Sequence, residues 1–195
     1  MSSPLDQRPI LVALAGPNGA GKTTFYHSHL KAAGLRLVNA DVVARELNID
    51  AYQAARLTAA IGEELVNQRE SFVFETVFSD PVGDKISFFQ GALRRGYTIV
   101  LCFVGILSPE ISDERVAMRV SQGGHDVPFE KLHSRFPRIL KNLKTALAEL
   151  PHVRVFDNDD LGAPYRLVAI CEKGQVKELH PPIPKWLGPL LPKSI

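Results

Sequence analysis

A chain of 195 residues, 45% of them hydrophobic, is long enough to bury one α/β core and short enough to do so as a single domain over residues 1–195. Lys and Arg number 23 against 21 Asp and Glu, a formal charge of +2, which gives no sequence-independent pull toward nucleic acid or an anionic membrane. No apolar run reaches the ~20 residues that span a bilayer, and Met1 to Arg8 form no apolar signal segment, so a cytoplasmic location is expected.

Residues 10–15 are a continuous apolar run ending at Gly16, the pattern of a strand covered on both faces of a parallel sheet. A helix is predicted over 22–33, stopped at Gly34, and 35–38 form a short second strand. Asp50 is a candidate N-cap for a helix to about residue 68, with Ala54, Leu57, Ile61, Leu65 and Val66 along one face. Strand character returns at 72–77, a helix follows at 84–95, and 97–104 is the strongest strand in the chain.

Ser108 and Pro109 open a helix that carries Arg115 and Arg119 and stops at Gly123 and Gly124. Another helix starts near Pro128 and runs to about residue 150. A kink or break is expected at Pro137, which lacks an amide hydrogen and crowds the preceding turn. After a strand at 152–156, residues 165–172, the turn Lys173-Gly174 and residues 175–179 predict a C-terminal β-hairpin that trims a sheet edge. The tail, with Pro181, Pro182, Pro184, Pro189 and Pro192 around Trp186, reads as an extended strap. Cys102 and Cys171 sit in apolar β-rich runs and read as small buried hydrophobes, not as a disulfide or metal pair.

The segment Gly16-Pro17-Asn18-Gly19-Ala20-Gly21-Lys22-Thr23-Thr24 has the Walker A spacing. Glycines let successive N–H groups converge on phosphate oxygens, and a helix beginning at Lys22 aims its positive end at the same point. Lys22 adds a mobile cation, and the Thr23 hydroxyl can complete the coordination of Mg²⁺, while Thr24 reads as packing or capping. His27 and His29 are two residues apart and so point to different helix faces, which favours packing or solvent over a metal pair.

Parallel sheets bind ligands at the carboxyl ends of their strands, and two acids stand there. Asp41 follows strand two and is the candidate base for phosphoryl transfer, the alternative being that it only caps the next helix. Glu75, with Thr76, lies at the exit of strand three. Arg115 and Arg119 share a helix face and form a candidate phosphate clamp, with solvated pairs to Glu110 or Glu114 as the competing role. Residues 123–128 read as a hinge, making 108–140 a lid, with Arg135 and Arg138 as further candidate cations and His125 as a loop-stabilising residue.

Residues 16–25, 38–41, 71–76 and 115–128 together resemble the zeta toxin family, over about residues 9–158. The resemblance implies an α/β, three-layer P-loop fold of nucleotide-kinase type, a mostly parallel sheet with helices on both faces. It also implies ATP with Mg²⁺, an antitoxin protein as partner, and phosphorylation of a sugar hydroxyl of UDP-N-acetylglucosamine. On it, Lys22 and Thr23 match the phosphate-binding positions and Asp41 the base, while Glu75 and Thr76 fall in the substrate-side strand segment. Arg119 and Arg135 match the phosphate-clamping arginines. Asn158 resembles a late segment near the nucleotide base, though a turn explains it equally. The expected activity is an ATP-dependent kinase acting on a small-molecule hydroxyl; the alternative is an ATP-binding or ATP-hydrolysing module acting through a protein partner. A nucleic-acid end kinase would want a basic channel with aromatic platforms, and neither is visible.

Overall fold

The structure, a computed structural model, describes residues 4–121 and 127–192. Seven strands form one sheet: β1 (Ile10–Ala15), β2 (Arg36–Val38), β3 (Phe72–Thr76), β4 (Thr98–Gly105), β5 (His152–Asp157), β6 (Arg166–Glu172) and β7 (Gln175–Leu179). Their order is β2-β3-β1-β4-β5-β6-β7; the first five are parallel, and β6 and β7 add antiparallel at the edge as a hairpin. The hairpin turn is made by Lys173 and Gly174, both at positive φ, the handedness that matches strand twist. Exposed Lys177 and Glu178 on β7 discourage further edge pairing.

Among the described residues, six α-helices surround the sheet: α1 (Lys22–Phe25), α2 (Ala40–Leu47), α3 (Ala51–Asn67), α4 (Asp84–Arg94), α5 (Pro109–Ser121) and α6 (Phe129–Glu149). β1 shows why the apolar runs are continuous. Leu11, Ala13 and Ala15 enter one core with residues of α3, α4 and α6; Ile10, Val12 and Leu14 enter a second with Phe25 and Leu30. β4 divides in the same way, Ile99, Leu101 and Phe103 to one side and Val100, Cys102 and Val104 to the other. At about 1.5–3 kcal/mol for each fully buried aliphatic or aromatic side chain, these two strands anchor the domain.

Two helices depart from expectation. The segment predicted as one helix over 22–33 is α-helical only to Phe25, then winds as a π-helix (Tyr26–Leu30) and a 3₁₀ turn (Lys31–Ala33). Ser28 Oγ donates back to the Thr24 carbonyl at 2.9 Å, a bond that competes with regular helix geometry. Of the kink or break expected at Pro137, the break is absent: α6, 21 residues in all, runs through it. The proline is exposed, and Leu132, Phe136, Ile139 and Leu143 bury the opposite face on both sides of it. Four such side chains outweigh the ~3 kcal/mol that an interior proline costs.

The Pro-rich tail packs through Trp186 and Leu187, the indole lying on Gly105 and 5.9 Å from the Phe103 ring, but it winds as a 3₁₀ helix at Gly188–Leu190 where an extended strap was expected. Both cysteines are free and buried. Burial pushes the Cys102 thiol up to about 12 and that of Cys171 to about 11. The proposed hinge residues Gly123 and Gly124, and His125, lie outside the described residues.

Candidate functional site

The loop Gly16–Thr24 leaves β1 at its carboxyl end, and its first glycine is required by contact: a Cβ there would stand 2.1 Å from the Val104 carbonyl oxygen, at φ 145°. The carbonyls of the loop are held from outside. Ser112 Oγ donates to Asn18 at 2.7 Å, Asn158 Nδ2 to Ala20 at 2.9 Å, and the Tyr165 hydroxyl to Gly21 at 3.0 Å. In a trans peptide the N–H opposes the C=O, so each carbonyl tied outward turns the following N–H, of Gly19, Gly21 and Lys22, the other way. Convergent N–H groups of this kind make an anion nest. Asn158 is itself fixed, its Oδ1 accepting the Tyr165 N–H at 3.2 Å.

Lys22 is buried and its ammonium donates to the Pro17 carbonyl at 3.0 Å. Burial lowers its pKa, while the nearby carboxylates of Glu75 and Asp41 act to raise it and Arg119 to lower it. Lys22 therefore sits in the field of two carboxylates and a guanidinium. Thr23 Oγ1 donates toward Glu75, 3.2 Å from Oε2 and 3.4 Å from Oε1, which joins the P-loop to the end of β3. Thr24 is exposed beside the Tyr165 phenol.

Asp41 is spared the capping role. Asn39 stands at the N-cap of α2, its Oδ1 accepting the N–H groups of Asp41 at 2.6 Å and Val42 at 3.2 Å. The Asp41 carboxylate is left exposed on the wall of the cavity. Arg135, on α6, feels it: burial and the neighbouring Arg138 lower the Arg135 pKa, and Asp41 opposes them.

Both arginines of α5 line the cavity, and Arg119 stands within the field of Lys22. Arg115 does not stand in a solvated pair with Glu110 or Glu114; its guanidinium donates to the carbonyls of Asn158 at 2.8 Å and Asp159 at 2.9 Å. Thr76 Oγ1 accepts the Phe78 N–H at 3.0 Å and so turns the chain after β3. His29 stacks on Phe25, ring centroids 4.5 Å apart, while His27 lies against Tyr26. Among the described residues no group of three or more His, Cys, Asp and Glu is arranged to hold a metal ion, and no helix is long and apolar enough to cross a membrane.

Gly21, Lys22, Asp41, Glu75, Arg119 and Arg135 thus line one cavity of about 610 Å³, at the carboxyl ends of β1, β2 and β3. That volume is in the range that encloses a small organic ligand. The described parts of α5 and α6 border it through Arg115, Arg119, Arg135 and Arg138. Ser112 and Tyr165 carry no local sequence signal of their role, because each acts on a backbone carbonyl more than 90 residues away.

A parallel five-strand core extended by an antiparallel hairpin, with an anion nest after β1 and charged groups gathered above it, defines a P-loop protein of nucleotide-kinase type. The zeta toxin family model matches residues 2–166, and the chain belongs to that family. Among solved structures, it is similar to the AvrRxo1-ORF1:-ORF2 complex crystallised with ATP, at 21% identity and a TM-score of 0.71 over 90% of this chain and 61% of that one. It is also similar to the structure from the PezAT chromosomal toxin–antitoxin system of Streptococcus pneumoniae, at 18% identity and a TM-score of 0.60 over 87% of this chain and 74% of that one. The chain spans about three fifths of the first of these, and at such identity the likeness concerns the fold. No curated protein matches it in sequence.

Proposed function

We propose that this protein is an ATP-dependent phosphotransferase that moves the γ-phosphoryl group of ATP to a hydroxyl of a small molecule. The observation that carries this reading is the Asp41 carboxylate, relieved of capping by Asn39 and exposed in the same cavity as the P-loop lysine. A sensor or a pure binding module needs the nest; it does not need an uncommitted carboxylate beside it.

In this reading the N–H groups of Gly19, Gly21 and Lys22 bind the phosphates, and Pro17, Asn18 and Ala20 complete the turn that presents them. The Lys22 ammonium leaves the Pro17 carbonyl for phosphate oxygens. Thr23 Oγ1, exposed beside Glu75, is an oxygen donor of the kind Mg²⁺ takes, and the ion when bound offsets phosphate charge. Asp41 orients the acceptor hydroxyl and takes its proton as the new O–P bond forms; the bond between the γ-phosphorus and the β–γ bridging oxygen breaks, and ADP leaves. Arg119 and Arg135 hold the charge that develops on the transferred group. Glu75 and Thr76 shape the acceptor side.

UDP-N-acetylglucosamine is the first acceptor to test, an antitoxin protein the expected partner, and the cytoplasm the expected location. Family membership and the toxin–antitoxin origin of the PezAT structure support this choice. The experiment is turnover of γ-labelled ATP against nucleotide sugars, sugars and nucleosides. Wild type should label an acceptor; Asp41→Asn should lose about 10²–10⁴-fold in rate while keeping ATP affinity, and Lys22→Ala should lose affinity. Phosphate transferred to water alone would favour an ATP-hydrolysing module acting through a partner.

A further inference from the structure

The cavity wall beyond β3 holds an acid that phosphoryl transfer leaves without a role. Asp80 lines the cavity, and among the described residues neither of its carboxylate oxygens, both enclosed, has a hydrogen-bond partner. Its backbone, by contrast, is tightly set. Asn142 Nδ2, on α6, donates to the carbonyls of Phe78 at 3.0 Å and Asp80 at 2.9 Å, and Phe78 is held at φ 65°. An acceptor-only group shut away from water without a donor is unfavourable, so this rigid loop maintains a carboxylate that nothing in the described chain satisfies.

Arg138 repeats the pattern. It lines the same cavity, one helical turn from Asn142, and its Nε is enclosed with no partner among the described residues. Arg135, at the Asp41 end, lies on the same face, since 135, 138 and 142 are spaced three and four apart. The seven steps from Arg135 to Asn142 cover about 10 Å of helix and the three to Arg138 about 4.5 Å, which sets the Asp80 and Arg138 wall on the order of 5–10 Å from the phosphate end.

We propose that Asp80 determines acceptor specificity: its carboxylate turns into the cavity to accept a hydrogen bond from a second, non-reacting hydroxyl of the acceptor, to which Arg138 Nε donates. A hydroxyl is the group that donates to one and accepts from the other. The acceptor is therefore a polyhydroxylated molecule long enough to place that hydroxyl on the order of 5–10 Å from the one phosphorylated. This rests on the phosphotransferase reading above.

The test uses γ-labelled ATP with nucleotide sugars, disaccharides and nucleosides, each beside its singly deoxygenated analogues, on wild type, Asp80→Asn and Asp80→Ala. The melting temperature of each protein without ligand is measured alongside. Asp80→Ala should raise the acceptor KM about ten- to a hundredfold, with the loss on KM and not on kcat, and ATP affinity should hold. One deoxy analogue should show the same loss with wild type and none with Asp80→Ala. Both variants should melt no lower than wild type. An unchanged acceptor KM, or a melting point lowered by several degrees, overturns the role of Asp80 and leaves the kinase intact. A wild type that binds ATP yet labels no compound overturns both.

Discussion

The side-chain amide of Asn158 donates to the Ala20 carbonyl at 2.9 Å, joining the end of β5 to the P-loop across 138 residues of chain. Since Tyr165 anchors the adjoining Gly21 carbonyl, the nest is aimed by residues from the far side of the sheet. Asn158→Ala leaves a buried carbonyl unpaired and should cost about 1–3 kcal/mol of stability. Loss of aim should also weaken ATP binding about tenfold, and Tyr165→Phe should do less. Denaturant titration and ATP calorimetry test this; ATP affinity unchanged in Asn158→Ala would contradict it.

Lys22 gives the protein a pH signature. Its folded-state pKa lies below the ordinary 10.5, so between the two values the unfolded chain binds more protons and stability rises with pH. Below the folded value the burial penalty on the ammonium is fully present. Relative to Lys22→Met, the wild type should therefore gain stability as pH rises toward 10.5, measured by urea unfolding across pH. ATP binding, which favours the charged form, should take up protons on the alkaline side, read by calorimetry in buffers of different ionisation enthalpy.

Neither thiol should react at pH 8 in the native protein. The Cys102 thiol is pushed up to about 12 and Cys171 to about 11, and both are buried. Disulfide-exchange reagents should count no thiols before denaturation and two after it. Fast native labelling of either would show that the sheet core opens.

Gly105→Ala tests how the tail is held. A Cβ there would stand 2.2 Å from the Trp186 ring, so the strap must lift, at about 1–3 kcal/mol. Trp186 is the one tryptophan of the chain, and its emission should shift to the red. Emission unchanged from wild type would mean that the strap accommodates the methyl.

Much of the site was legible because its signals are local. The Walker A spacing, the apolar runs of β1 and β4, and the Asp50 cap on α3, accepting from Tyr52 and Gln53, each depend on neighbours a few residues apart. What was not legible has a different cause. For Arg115 the competing role offered by the sequence was a pair with Glu110 or Glu114, whereas its guanidinium bonds carbonyls 43 and 44 residues later. Pro137 breaks a helix by propensity; a buried face spanning both sides of it carries the helix through.

The order of residues alone determined that a phosphate-binding turn would follow a doubly buried strand, because hydrophobic period and glycine placement act over one or two turns of chain. Only the folded molecule decided that Asn39 takes the capping role and leaves Asp41 exposed in the cavity, and that Glu75 meets Thr23. It likewise decided that Ser112, Asn158 and Tyr165 aim the nest. Hydrogen bonds act over about 3 Å, and parallel strands bring together groups whose separation along the chain carries no trace of that proximity.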